Sequence, residues 1–169
     1  GTITGGTYGM EVQKNGTANI SGGTITATGE SSYGVEVRTN CTANISGGTM
    51  TVNTDVTDEH MGISHWCEPI TLRGGWLNIS GTAEVTVTAN TENCNLVYVT
   101  NEEGRVGRLN ISGGTFNGPW GFYSYGDFDK SLETIKVSGG TYLEDPTDYL
   151  ATGYVAVQAD GKWVVSPAG

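Results

Sequence analysis

Charge is scarce in this chain of 169 residues, and positive charge is scarcer still. Charged residues make up 15%, with 8 Lys and Arg against 18 Asp and Glu, a formal net charge of −10. A nucleic-acid partner needs a basic face, so that class is excluded. Adhesion to anionic membranes is disfavoured for the same reason. No apolar stretch approaches the ~20 residues of a membrane helix, so no membrane insertion is expected. Cysteine is limited to Cys41, Cys67 and Cys94. No CxxC occurs among them, which removes zinc-ribbon and thioredoxin readings. At most one internal disulfide could form, and three small, mostly buried thiols are the expected state. A helical apolar stripe of ten residues is missing. GxSxG, HExxH, P-loop and GxGxxG signatures are absent, as are an EF-hand loop and a calcium-binding GGxGxD nonapeptide.

What the chain does have is glycine, 27 of them, set in a repeat. "NISGGT" stands at 19–24, 44–49 and 110–115. "NISGT" stands at 78–82 and "KVSGGT" at 136–141. The segments 8–24 and 33–49 match at most positions, 25 residues apart. Units run 18–42, 43–76, 77–108 and 109–134, and a last one begins at Ile135. A constant core motif with variable unit length means that insertions collect at particular corners, as in stacked repeats.

Each unit alternates with the period of strands. Ile20, Ile45, Ile79, Ile111 and Val137 form one apolar column. Ala18, Ala43, Leu77, Leu109 and Ile135 form its neighbour, and both are expected to face inward. Asn19, Asn44, Asn78 and Asn110 are expected outward, with Lys136 in the same position of the last unit. The glycine pair suits a corner that needs positive φ or close approach. The predicted fold class is all-β, a single-stranded parallel β-helix (β-solenoid) of about six coils. Residues 1–141 would be repeat coils and 142–169 the last coil with a C-terminal capping hairpin around Asp160-Gly161. The first residues already read as repeat, so the chain is expected to be a fragment of a longer one.

"NISGGT" repeats followed by "VSGGTYLEDPTDYLATGYVAVQADGKWVV" resemble the right-handed β-helix repeat regions of large surface proteins from gut-type Firmicutes. The resemblance covers nearly the whole chain. It implies export, an extracellular or wall-attached setting, and adhesion or glycan contact. Pectate-lyase-like enzymes share that architecture, so the resemblance does not decide activity.

Local candidates lie where the repeat fails. The acidic insertion 53–69 brings Asp55, Asp58, Glu59 and His65 together as a weak metal-ligand set, against the plainer reading of a solvated acidic loop. No cofactor is expected, calcium being the one cation these carboxylates would suit. On the "YGVEV" strand an outward column should hold Glu11 and Glu36, then Ser64, Tyr98 and Tyr123. Two carboxylates one strand apart could hold a cation or act as an acid pair, and more often mark a wet repeat position. Trp66, Trp76, Trp120, Tyr123 and Tyr125 offer flat faces on which sugar rings stack; ordinary core packing is the alternative. Thr triplets at 2–4, 24–26, 49–51 and 86–88 could form a flat ice-binding array, or merely suit an exposed strand. Six N-x-[ST] sequons, at Asn15, Asn19, Asn40, Asn44, Asn78 and Asn110, four of them in the repeat itself, read as outward, ladder-forming positions rather than glycan acceptors.

The function expected is therefore a non-enzymatic stalk or adhesin segment at the bacterial cell surface, presenting loops 53–75, 89–95 and 117–133 to glycans or a host-surface protein. A polysaccharide lyase or hydrolase on the same fold is the alternative. End-to-end self-association through the N-terminal end of the stack is a further one.

Overall fold

The structure, a computed structural model, describes residues 1–29, 32–52, 67–87, 95–118, 122–125 and 134–169, with backbone alone at Cys67 and 122–125. The protein is all-β, with curled, parallel-rich sheets. Three ladders of strands can be followed. The first runs through β3 (Thr17–Ala27), β5 (Thr42–Val52), β7 (Trp76–Ile79), β11 (Arg108–Ile111) and β14 (Ile135–Val137). The second joins β1 (Thr2–Gly5), the later halves of β3 and β5, β8 (Glu84–Val87), β12 (Thr115–Asn117) and β15 (Thr141–Tyr142). The third joins β2 (Tyr8–Val12), β4 (Ser32–Val37), β6 (Cys67–Arg73), β9 (Val97–Glu102) and β13 (Phe122–Tyr125). All these pairings are parallel. β10 (Arg105–Val106) folds back antiparallel on β9.

The expected columns are in register. Ile20, Ile45, Ile79, Ile111 and Val137 are neighbours and buried, as are Ala43, Leu77, Leu109 and Ile135. They join Val35, Ile70 and Val97, then Val37, Leu72 and Val99, of the third ladder in one apolar core. Burying each such side chain contributes about 1.5–3 kcal/mol, which explains the strict alternation. The repeated asparagines form a chain of side-chain hydrogen bonds: Asn44 donates to Asn19, Asn78 to Asn44, and Asn110 to Asn78, at 2.9, 2.9 and 3.0 Å.

The second ladder corrects the threonine reading. Thr49 and Thr51 pair with Glu84 and Thr86, not with Thr86 and residue 88. The corner "SGTA" is one residue longer than "SGG", with Gly81 at φ 61, so the strand restarts at Glu84. Thr115 and Thr141 then extend the outer column past that carboxylate, while Phe116 and Tyr142 fill the inner one, stacked 4.8 Å apart. Glu84, hydrogen-bonded by Asn117, interrupts the array.

At the C-terminal end, β16 (Tyr154–Ala159) and β17 (Lys162–Pro167) form the expected hairpin, and β17 pairs antiparallel with β15. Asp160 and Gly161 both have positive φ, as a two-residue hairpin turn of this kind requires. Among the described residues no helix is long and apolar enough to cross a membrane.

Candidate functional site

In the third ladder the column expected to face outward runs in register through Glu11, Glu36, Thr71, Tyr98 and position 123. Thr71 stands where Ser64 was expected; Ser64 lies outside the described residues. Beside it, Tyr8, Tyr33 and Glu68 share a second column, in which the Tyr8 and Tyr33 rings stack at 5.4 Å. Gly34 lets β4 and β6 approach there, since a Cβ would lie 2.3 Å from the Pro69 carbonyl oxygen.

Glu36 is not the wet surface position that its place in the repeat suggests. It is 1% exposed, and so is Glu68. Two arginines converge on Glu36. Arg73 Nε lies 2.7 Å and Arg38 Nη1 3.5 Å from its Oε1. Its Oε2 is buried without a hydrogen-bond partner among the described residues. The Arg73 guanidinium also lies about 6 Å from two ring centroids, at 6.0 Å from Tyr33 and 5.9 Å from Tyr98. Arg38 reaches Glu11 at 3.4 Å and Glu102 more closely. Glu102 in turn accepts from Thr39 through its backbone N–H and its hydroxyl, at 3.3 and 3.2 Å.

These environments push the carboxyls apart. Burial lifts Glu68 from an ordinary 4.5 to about 8, against the Thr71 hydroxyl bond and the pull of Arg73. Burial also raises Glu36, opposed by Arg73 and Arg38 and reinforced by Glu11. Burial would raise Glu102 too, but its bonds from Thr39 and Arg38 win and hold it low. Burial thus raises both Glu68 and Glu36, and the two arginines hold Glu36 back where Glu68 has only Arg73.

A second feature sits on the first ladder. Trp76 opens β7 and is 51% exposed. Arg108, its register neighbour on β11, lays its guanidinium 5.4 Å from the Trp76 ring centroid. A cleft of about 280 Å³ lies alongside, lined by Asn40, Gly74, Trp76, Arg105, Val106 and Arg108. Its shape depends on the β9–β10 hairpin. Glu103 and Gly104 have φ 52 and 71, the pair of positive values that a type I′ turn needs. Asn40 also borders a neighbouring cleft of about 270 Å³ that contains Lys14, Arg38, Thr39 and Glu102.

Of the residues singled out from sequence, Glu11 and Glu36 fall in the first cluster and Trp76 lines the cleft. Tyr123 and Tyr125 belong to β13, in register with Tyr98 and Thr100. Trp66, Trp120, Asp55, Asp58, Glu59 and His65 lie outside the described residues. Among the described residues no group of three or more His, Cys, Asp or Glu could hold a metal ion. Sequence reasoning missed Tyr33, Arg38, Arg73, Glu102, Arg105 and Arg108, whereas Glu68 lies in the acidic insertion 53–69 that it singled out. For Arg105 a signal existed: "EEGR" places a glycine at the second position of a tight turn between two strands. No family model, curated protein or solved structure matches this chain.

Proposed function

We propose that the chain is a segment of an extracellular parallel β-solenoid of about six coils whose outer face binds glycans without cleaving them. Half-exposed Trp76 beside a cleft carries this reading. Large aromatics are ordinarily buried, so an exposed indole face next to a concave, polar-edged site suits the apolar face of a sugar ring. The surface-protein resemblance of the repeats and the scarcity of positive charge fit a bacterial cell-surface setting. A glycan array probed with the protein and with Trp76→Ala tests it: binding that the substitution abolishes is expected. A blank array together with a blank host-protein pulldown would leave only a spacer role.

A second reading is a carbohydrate-active enzyme, favoured by one observation: Glu68 is held neutral near an arginine-paired Glu36. A carboxyl kept protonated near neutral pH is one half of what glycosidic-bond cleavage requires, the general acid. Incubation with pectin, alginate and mucin glycans, with and without calcium, separates the two readings. New reducing ends or unsaturated uronates that disappear in Glu68→Gln would establish the enzyme.

A further inference from the structure

The cleft at Trp76 holds something unusual for this protein. Lys and Arg number only 8 in the chain. Arg38 and Arg73 are committed to Glu11, Glu36 and Glu102. Arg105 and Arg108 line one cleft and are both exposed. Neither has a carboxylate within ion-pair distance among the described residues, although Asp and Glu outnumber Lys and Arg by 18 to 8. In a chain this acidic, two arginines in one cleft with no carboxylate partner among the described residues give that cleft a local positive field.

We infer that this cleft binds an acidic saccharide, through a carboxylate held by Arg105 and Arg108 with the sugar ring lying against Trp76. The inference rests on the glycan-binding reading above and deepens it to a ligand class. Three parts of the site act together. The register pairing of β7 and β11 sets Arg108 over the indole, and the cation–π contact holds its guanidinium at the cleft. A planar guanidinium fork matches a planar carboxylate through two parallel hydrogen bonds, which a lysine in its place could not do. The β9–β10 turn delivers Arg105 to the same cleft, and Asn40 adds an amide suited to a hydroxyl. Gly74 shapes the cleft: at φ 68, a Cβ would lie 3.0 Å from the Arg105 carbonyl oxygen and 2.8 Å from Thr39 Oγ1. At about 280 Å³ the cleft is at the small end of ligand sites, so it takes one or two sugar units rather than a long chain. The net charge of −10 works in the same direction, because a long polyanion would be repelled by the rest of the surface.

The test is a calorimetric titration with a glucuronate-containing tetrasaccharide, its carboxyl-reduced neutral counterpart, and inorganic sulfate. The acidic sugar should bind at least about tenfold more tightly than the neutral one. The Arg105→Gln/Arg108→Gln double variant should lose that preference, with an unchanged circular dichroism spectrum because both side chains are exposed. Binding of both sugars with equal affinity would overturn acid selectivity and leave the glycan reading standing. Binding of neither would overturn both. Displacement of the acidic sugar by an equal concentration of sulfate would reduce the site to a bare anion site and overturn the saccharide assignment.

Discussion

Asn78 donates from its side-chain amide to Oδ1 of Asn44 at 2.9 Å while accepting from Asn110 at 3.0 Å, so one side chain joins three repeats. Asn78→Ala removes both bonds and leaves a donor on Asn110 and an acceptor on Asn44 without their partners. The ladder is only partly buried, so water recovers some of the loss. A cost of about 1–3 kcal/mol is expected, read as a fall in the urea midpoint. Asn78→Asp keeps the acceptor and should cost less than the alanine variant. If both variants melt with the parent protein, the ladder contributes nothing to stability.

Gly22 and Gly47 are the same letter of the same motif, but their neighbours differ. A Cβ on Gly22 would meet nothing within 4 Å, whereas one on Gly47 would lie 2.5 Å from the Ser21 carbonyl oxygen on the adjacent strand. Gly22→Ala should change stability by less than about 0.5 kcal/mol. Gly47→Ala should cost about 1–3 kcal/mol, because a backbone oxygen cannot rotate aside. Gly48→Ala adds positive φ (87) to a similar contact and should be at least as costly. Thermal melts of the three variants check the order.

The inward columns and the asparagine ladder were legible because burial and stacking act on every repeat alike, so the letters recur. Registers across irregular corners were not. Thr71 was missed because a long insertion separates β5 from β6 and carries no copy of the motif. Matching the inward pair Ile70 and Leu72 to Val35 and Val37 locates it better than counting. Glu84 was passed over because the triplet 86–88 repeats the letters of the earlier Thr triplets, whereas the register sets Glu84, two residues earlier, opposite Thr49. Burial of Glu36 and Glu68 depends on what covers an outward face, and alternation along one strand cannot report that. Arg105 and Arg108 are brought into one cleft only by the fold, through the β9–β10 turn and the β7–β11 pairing.

Arg73 is the nearer counter-charge of Glu36, so Arg73→Met leaves a buried carboxylate supported by Arg38 alone. Removing one partner of a buried pair is costly, and the residual Arg38 contact at 3.5 Å moderates it to about 2–3 kcal/mol. Arg73→Met combined with Glu36→Gln should recover much of that loss, because the isolated charge is gone. A double-mutant cycle from urea denaturation gives the coupling. Strict additivity would mean that the 2.7 Å contact carries no energy of its own.

Glu68 sets a pH dependence whose sign follows from its burial. Its folded pKa is raised to about 8 from an ordinary 4.5, so between those values the folded protein keeps a proton that the unfolded chain has released. The unfolded state then binds fewer protons, and stability falls as pH rises through this window and levels off above it. The slope approaches about 1.4 kcal/mol per pH unit, on the order of 4–5 kcal/mol across the window. Glu36, also raised, acts in the same sense, whereas Glu102, held low, loses its contribution only as the solution becomes acidic. Self-repulsion in a chain of net charge −10 also weakens the fold as carboxyls ionise, so the total slope alone does not isolate Glu68. Glu68→Gln does, because the amide fills the same space and cannot ionise. Urea midpoints of the variant and the parent should nearly coincide at pH 5 and diverge steadily to pH 8.5, with the variant the more stable. Parallel curves over that range would show that Glu68 ionises at an ordinary pH and that its surroundings do not hold it neutral.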